Sequence, residues 1–260
     1  MNNKSFNCLL YVFFIITILF LIAPLFLLIN RGVVYIIPCL RSEEVLFSIK
    51  LSLKTAIIST FICLIFSIPT SYILVRHEFK YKKLISSIIY LPMSLPHIVS
   101  GIALLLLFGK SSFGNFLYNK LNLDFIFTVK GIILAQVFVN LSFTIKILAT
   151  SLEESNTRME FIARTLGCNE FEAFRYITIP KLKKGTITAI IMTWSRALGE
   201  FGAVMMVAGS TRMKTEIIPT SIFLNMSTGD LDTAIGVATI LIIISLISII
   251  TFEIIDKKKS

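Results

Sequence analysis

The sequence predicts an all-α fold, a polytopic transmembrane helical bundle with six spans, and three observations support this prediction. Hydrophobic residues make up 55% of the 260 residues and charged residues only 15%, and the mean hydropathy is +0.85, which is far from an average soluble domain. The apolar residues form runs of about 20 residues or more, enough to cross a hydrocarbon core of about 30 Å. The basic residues lie at the ends of these runs, which is typical of orientation in a lipid bilayer and indicates no nucleic-acid partner despite the net charge of +10.

The apolar runs define the spans and the connections between them. The predicted spans are Cys8 to Ile29, Val45 to Val75, Leu84 to Phe108, Val129 to Thr150, Gly185 to Ala208 and Thr233 to Ile255. The first run is too long for the core of a signal peptide and no small-residue cleavage site follows it, so we expect an uncleaved helix. We expect loops at Arg31 to Glu44 and Lys110 to Thr128, and an outer segment from Gly209 to Asp232.

The distribution of Lys and Arg predicts the orientation of the chain. With the residues at the span ends included, 14 lie on the side of both termini and 9 on the other side, and basic residues favour the cytoplasmic side. We therefore expect a multi-pass protein of the cell membrane with both termini in the cytoplasm. Residues 1–44 would form an N-terminal helix with its outer loop. Residues 45–260 would form the membrane core, with a cytoplasmic element at about 155–184.

Two prolines interrupt the third predicted span. Pro92 and Pro96 are four residues apart in the sequence LPMSLP, and each removes a backbone donor from the helix. Such a loss is tolerated in a membrane only where neighbouring groups or a cavity satisfy the freed carbonyls. We expect a kink or break here, either beside a translocation pathway or as a bend that only improves packing.

The residues that could carry catalysis or bind a metal are few and scattered. Cys8, Cys39, Cys63 and Cys168 have neither metal-ligand spacing nor a shared location that would favour a disulfide. The two histidines lie away from any carboxylate cluster, and the chain has no glycine-rich phosphate loop. We therefore predict that the protein is not an enzyme and has no cofactor.

A polar and basic island separates the fourth and fifth predicted spans, from Met159 to Pro180. Gly167 can adopt the left-handed conformation that ends a short helix. Asn169 and Glu172, three residues apart, have the pattern of a capping box that begins a second helix. The island is therefore predicted to be a helix-turn-helix that faces water.

The second helix of the island is predicted to present an aromatic ridge. Phe171 and Phe174 are three residues apart and lie on one helix face, and Pro180 is expected to end the helix. A ridge of this kind could dock into a partner protein. The alternative is an amphipathic loop that lies on the membrane surface.

The island resembles the cytoplasmic signature of ATP-binding-cassette importer permeases. That signature is Glu-Ala-Ala, three residues, Gly, nine residues and Ile-x-Leu-Pro, and Gly167 to Pro180 matches its spacing in full. The signature Glu falls on Phe161, with Glu160 one residue earlier. The resemblance implies a type I importer permease fold in which the island docks into a dimer of separate ATPase subunits. The coupling residues that it implies are Glu160, Ala163, Arg164, Leu166, Gly167, Phe171, Phe174 and Pro180.

The fifth predicted span contains two charges in the middle of the membrane. Arg196 and Glu200 are four residues apart, so on a continuous helix they share a face and could form an ion pair. Either Arg196 lends positive potential to a translocation pathway while Glu200 holds it in place, or the pair only braces the bundle. Gly199 and Gly202 are predicted to permit the close approach of another helix.

The stretch from Ser195 to Ala203, SRALGEFGA, resembles permeases of the molybdate, tungstate and sulfate branch. The resemblance implies a homodimer with the pathway between two copies, and an extracytoplasmic oxyanion-binding protein that delivers the substrate. It favours molybdate or tungstate as the substrate, with sulfate or thiosulfate as the alternative. A channel or sensor without an ATPase is a second alternative, and a membrane enzyme is a third.

Overall fold

The computed structural model describes residues 3–257, and their regular structure is helical without any strand. The helices are α1 (Asn3–Arg41), α2 (Glu43–Arg76), α3 (Lys82–Ser94), α4 (His97–Phe108), α5 (Ser112–Leu121), α6 (Val129–Glu154), α7 (Arg158–Thr165), α8 (Glu170–Ala173), α9 (Ile179–Lys181), α10 (Lys183–Leu198), α11 (Gly202–Ala208), α12 (Ile218–Ser227) and α13 (Leu231–Lys257). A π-helical turn, Phe174–Thr178, lies between α8 and α9. The predicted all-α fold is confirmed.

Four of these helices, α1, α2, α6 and α13, are each long and apolar enough to cross a membrane. Two further candidates are bent pairs of helices: α3 and α4 meet at 110°, and α10 and α11 meet at 59°. The described chain therefore has four candidate spans, or six if each bent pair forms one span. The third and fifth predicted spans are these bent pairs.

The loop predicted from residue 31 to residue 44 is wrong, because α1 continues as far as Arg41. Its last turns pack against α13, where a side chain on Gly236 would collide with Tyr35 and Cys39. This packing stabilises helix beyond the length that the membrane requires. Only Ser42 separates α1 from α2, and its hydroxyl accepts a hydrogen bond from the Val45 amide at 3.5 Å as the N-cap of α2.

The loop predicted from residue 110 to residue 128 is also wrong in part, because it contains α5. Ser111 caps the start of this helix by accepting a hydrogen bond from the Gly114 amide at 2.9 Å. Asn122 ends it in the left-handed conformation, with φ of 52°, which Asn tolerates better than most residues. These short-range capping signals outweighed the polar composition on which the loop prediction rested.

The bundle is centred on the pair of α2 and α6, which lie against each other over most of their length. The face of α2 in this region is a stripe of small, mostly polar residues, all of them buried. They are Ser48, Ser52, Thr55, Ser59, Cys63, Ser67 and Ser71. Small side chains let two helices approach closely in a membrane, where no hydrophobic driving force brings them together.

Buried polar bonds tie α10 to the α2–α6 pair. Gln136 of α6 donates to the Ala197 carbonyl at 2.9 Å and to the Thr55 hydroxyl at 3.4 Å. Two turns after Gln136 in α6 and one turn before Ala197 in α10, the hydroxyls of Thr144 and Thr193 lie 2.8 Å apart. Because a polar group without a partner is costly in lipid, these bonds fix how the three helices pack.

The two ends of α2 mark the two ends of the bundle. This helix has 34 residues and is therefore about 50 Å long. Arg76 in its last turn contacts α7, whereas Glu44 in its first turn contacts Arg212 in the connection between α11 and α12. We call the first the signature end and the second the far end.

Candidate functional site

The first helix of the signature element, residues 158–181, ends at Gly167 as predicted. Gly167 has φ of +97°, a conformation that glycine adopts without steric cost. Its amide donates to the Arg164 carbonyl at 3.1 Å, and the Cys168 amide donates to the Ala163 carbonyl at 3.0 Å. These two bonds form a Schellman motif, which satisfies carbonyls that the end of α7 would leave free.

The capping box that begins the second helix is confirmed. The Glu172 amide donates to the Asn169 side chain at 2.9 Å, and the Asn169 amide donates to the Glu172 carboxylate at 2.8 Å. The two residues therefore satisfy each other's free backbone donors. The element is a helix-turn-helix that local bonds define on both sides of Gly167.

Pro180 does not end the second helix, so that prediction is wrong. The chain passes from α8 through the π-helical turn into α9 and, after Leu182, into α10. The Ile179 amide donates to the Phe174 carbonyl, five residues earlier, which shifts the helical bonding by one residue. Pro180 then lies in the first turn of α9, where the missing N–H removes no helix bond.

The predicted aromatic ridge is correct for Phe171 and wrong for Phe174. The side chain of Phe171 is exposed, but Phe174 is half-buried with its ring edge-on to Tyr72, 4.7 Å between centroids. The other large apolar side chains that this element exposes are Met159, Phe161, Ile162, Leu166, Tyr176 and Ile179. The exposed apolar surface of the element therefore comes from both helices and from the turn.

Glu160 lies beneath the element and holds it to α2. Its two carboxylate oxygens each lie 3.1 Å from a guanidinium nitrogen of Arg76, and both side chains are about 10% exposed. Arg76 also donates to the Ser155 hydroxyl at 2.7 Å. A bidentate pair between planar groups fixes orientation as well as distance. Sequence reasoning missed Arg76, because its partner is 84 residues away along the chain.

A cleft of about 580 Å³ opens beside this ion pair. Arg164 lines it, as do Tyr72 of α2 and Glu170 of α8. Glu170 also contacts His77, with a carboxylate oxygen 3.1 Å from Nε2. Ala163 is buried. Of the predicted coupling residues, five are exposed: Arg164, Leu166, Gly167, Phe171 and Pro180.

The two bent pairs of helices meet in the middle of the bundle, and we call this region the crossing. The break predicted at the prolines is confirmed: Pro92 lies in the last turn of α3, and Pro96 immediately precedes α4. A Cβ atom on Gly101 of α4 would lie 2.7 Å from Met206 Cβ and 2.9 Å from Ala203 Cα. The backbones of α4 and α11 are therefore in direct contact.

The two glycines that were predicted to permit close approach behave differently. A Cβ atom on Gly202 would lie 3.2 Å from His97 and Ile98 at the start of α4, so this prediction is confirmed. Gly199 is exposed, and the nearest atoms to its Cβ position belong to its own helix at 3.9 Å. For Gly199 the prediction is wrong, because the bend between α10 and α11 turns this residue away from α4.

The ion pair predicted between Arg196 and Glu200 is wrong, since α10 ends at Leu198 and the two residues do not share a helix. Glu200 is buried, and its carboxylate lies 2.8 Å from His97 Nδ1 and accepts from the Ala203 amide at 3.1 Å. Arg196 instead donates to the Asn140 side chain of α6 at 3.2 Å. Its guanidinium also stacks on the ring of Phe143, 4.6 Å from the centroid.

The crossing and the adjoining end of α10 therefore carry two side chains, His97 and Arg196, that can present hydrogen-bond donors to an anion. The imidazole of His97 is 41% exposed above the buried Glu200, and Arg196 is half-buried beside Asn140. Sequence reasoning named Arg196 but missed His97. The signal that could have found it is the position of His97 directly after Pro96, at the start of a new helix.

Comparison with known proteins gives curated relatives along most of the chain. The sulfate transport system permease CysW of Synechocystis is 29% identical over 96% of this chain and 91% of its own length. The probable transport system permease NifC of Clostridium pasteurianum is 35% identical over 87% of this chain and 80% of its own. The molybdenum transport system permease ModB of Mycobacterium tuberculosis is 30% identical over 76% of this chain and 75% of its own.

Solved structures with the same fold include two of bacterial alginate ABC transporters. In one, bound to an alginate-carrying periplasmic protein, the matched chain has a TM-score of 0.77 and 17% identity over 96% of this chain and 94% of that chain. In the other, the TM-score is 0.78 with 16% identity over 98% of this chain and 97% of that chain. These similarities confirm the type I permease fold.

The family model for inner-membrane components of binding-protein-dependent transport systems matches residues 67–260, which include both the signature element and the crossing. The chain therefore belongs to this family, the permease subunits of ATP-binding-cassette importers.

Proposed function

We propose that this chain is the transmembrane subunit of an ATP-driven importer that carries molybdate or tungstate into the cytoplasm. The observation that carries the transport role is the signature element, whose predicted turn and capping box are both formed and which is anchored to α2. ATP hydrolysis belongs to a separate pair of ATPase subunits. The side of the membrane that bears the element is the cytoplasmic side, with both termini.

Motion would enter the membrane through the Arg76–Glu160 pair. Three of the exposed apolar groups of the element, Phe161, Leu166 and Phe171, can be buried in a groove of the ATPase subunit. Because Glu160 is bound to the last turn of α2, a displacement of the element acts on a helix that runs to the far end. Nucleotide binding would in this way bias the equilibrium between states open to either side.

The crossing supplies the groups for an anion pathway. Arg196 and His97 lie where two broken helices meet, and interrupted helices in membranes are tolerated where they line a cavity or are buried in protein. The imidazole of His97 is 41% exposed on this copy, and a second copy of the chain would face it. We place the pathway between the two copies, with an extracytoplasmic oxyanion-binding protein at the far end.

Sulfate is the second candidate substrate, and a specific observation favours it. The relative that matches the largest share of this chain among those described above is a sulfate permease, at 96% of the chain. Molybdate, tungstate and sulfate are tetrahedral dianions of similar shape. The donors at the crossing can serve all three.

Uptake in cells with and without this gene would test the proposal. We expect cells that lack it to lose molybdenum or tungsten, measured by elemental analysis at low external oxyanion, while the uptake of labelled sulfate is unchanged. Loss of sulfate uptake alone would move the protein to the second candidate. No change in any of the three would contradict oxyanion import by this chain.

A further inference from the structure

A fully buried carboxyl group lies at the far end, away from both the signature element and the crossing. Glu216, in the connection between α11 and α12, is 0% exposed. Neither of its carboxyl oxygens has a hydrogen-bond partner among the described residues. A buried carboxylate without partners is one of the most costly groups that a protein can hold.

The neighbouring acid has the complementary arrangement. Glu44, in the first turn of α2, places one carboxyl oxygen 2.7 Å from Arg212 Nη1. Its other oxygen, Oε1, is buried and also has no partner. Glu44 is therefore paired through one carboxyl oxygen only, and neither oxygen of Glu216 is paired.

The backbone holds the two acids together. The Thr215 amide donates to the Thr211 carbonyl at 3.0 Å, so residues 211–215 form a tight turn between Arg212 and Glu216. Just beyond, the Ile218 amide donates to the Ser52 hydroxyl of α2 at 2.7 Å. Glu216 is buried in this connection, and the carboxyl group of Glu44 in α2 and the hydroxyl group of Ser221 in α12 are near enough to act on it.

The charges in this cluster do not balance when both acids are ionised. One guanidinium faces two carboxylates, which leaves one negative charge buried. A single proton removes that charge and also turns one orphan oxygen into a donor for another. The same proton thus removes the excess charge and joins two of the three carboxyl oxygens that lack a partner.

We propose that Glu216 and Glu44 share one proton, which Glu216 carries and donates to Oε1 of Glu44. The ligand of this site is the proton itself. The shared proton joins the connection between α11 and α12 to the first turn of α2. The packing of the far end therefore depends on the pH at that side of the membrane.

The surroundings of Glu216 favour its protonated form. Burial is the main cause that raises the pKa of Glu216, and the Glu44 carboxyl raises it further. The Ser221 hydroxyl of α12 and the Met213 amide lower this pKa, although neither completes a hydrogen bond to the carboxyl group. Arg212 acts through Glu44. Because the pKa is raised in the folded chain, the stabilisation is complete below the ordinary glutamate pKa. It is lost as the pH rises through the raised value.

Unfolding of the full-length protein in detergent at a series of pH values would test the shared proton. We expect the wild-type folding equilibrium to fall about tenfold for each pH unit between the ordinary and the raised pKa. Glu216→Gln keeps the shape and an N–H donor but cannot ionise, so this fall should vanish. Glu44→Gln removes the neighbouring charge, so the fall should begin at the same pH but end at a lower one. Glu43→Gln, on the adjacent exposed glutamate of the same helix turn, is the matched control and should behave as wild type.

Infrared absorption gives a second readout, whose main signal comes from the wild-type protein. A protonated carboxyl band should persist above the pH at which ordinary glutamates ionise, and should be absent from Glu216→Gln. A pH profile that Glu216→Gln leaves unchanged would overturn the proposal, and so would the absence of the band. Stabilisation of the wild type, but not of Glu216→Gln, by added Na⁺ or Ca²⁺ at alkaline pH would also overturn it, because the site would then hold a metal cation.

Discussion

The signature element and the crossing are both places where helices break, but different forces hold them. The element is built from local polar bonds around Gly167 and is fixed to the bundle by a buried ion pair. The crossing is built from contacts between small residues, with Gly101 against the backbone of α11. The element should therefore be sensitive to loss of charge or of backbone freedom, and the crossing to added volume.

Glu160→Ala should have the largest effect on stability. It leaves the Arg76 guanidinium buried without its partner, and breaking such a pair costs about 3 kcal/mol of unfolding free energy. Glu78→Ala is the matched control, since its carboxylate lies 2.8 Å from Lys82 but is 88% exposed, and an exposed pair contributes about 0.3 kcal/mol. Chemical denaturation of the purified variants measures both losses, and equal values would contradict the anchoring role of Glu160.

Gly101→Ala should come next and tests the crossing by volume alone. The added methyl group would lie within 3 Å of backbone and Cβ atoms of α11, and overpacking of this kind costs about 2 kcal/mol. Gly199→Ala adds the same group where the nearest atoms are 3.9 Å away, so its thermal unfolding should match the wild type. A fully stable Gly101→Ala protein would mean that the crossing is loosely packed.

Gly167→Asp should cost about 1 kcal/mol, because a side chain is strained at a φ of +97°. It should nevertheless abolish substrate-stimulated ATP hydrolysis in the assembled transporter, since it changes the turn between the two docking helices. Gly229→Asp is the matched control, for Gly229 also has positive φ and open space around it. Membrane insertion is checked by fractionation, and stimulated hydrolysis that survives in Gly167→Asp would exclude the coupling role.

Arg196→Ala should affect folding as little as Gly167→Asp does, and it tests whether Arg196 serves transport or only braces the bundle. It removes one hydrogen bond to Asn140 and the contact with Phe143, worth about 1 kcal/mol together. Uptake of labelled oxyanion should fall much further than the amount of folded complex, and Arg196→Lys should recover part of it. Parallel losses of uptake and of complex would assign Arg196 to bracing alone.

The same comparison explains what the sequence could and could not reveal. The turn at Gly167 and the capping box at Asn169 depend on residues within a few positions, so their spacing predicted them. The break at Pro96 was also predictable, because proline removes a donor from any helix. These three features depend on the local backbone only.

The misassigned residues depend on partners that are distant in sequence. Glu200 binds His97 rather than Arg196, because α10 ends before it and α4 approaches through Gly202. Phe174 turns inward because Tyr72 of α2 receives it. The extension of α1 to Arg41 reflects the neighbouring α13. One sequence without its folded neighbours contains no signal for these choices.

The serine and threonine hydroxyls of the buried α2 stripe have a consequence for how the protein enters the bilayer. Ser48, Thr55, Ser59 and Ser71 each donate to a carbonyl three residues earlier in α2 itself. These four hydroxyls therefore add little polar penalty when α2 enters lipid before any partner arrives. During synthesis α2 can thus leave the insertion machinery alone and wait for α6, which is made more than 50 residues later, to close over the stripe.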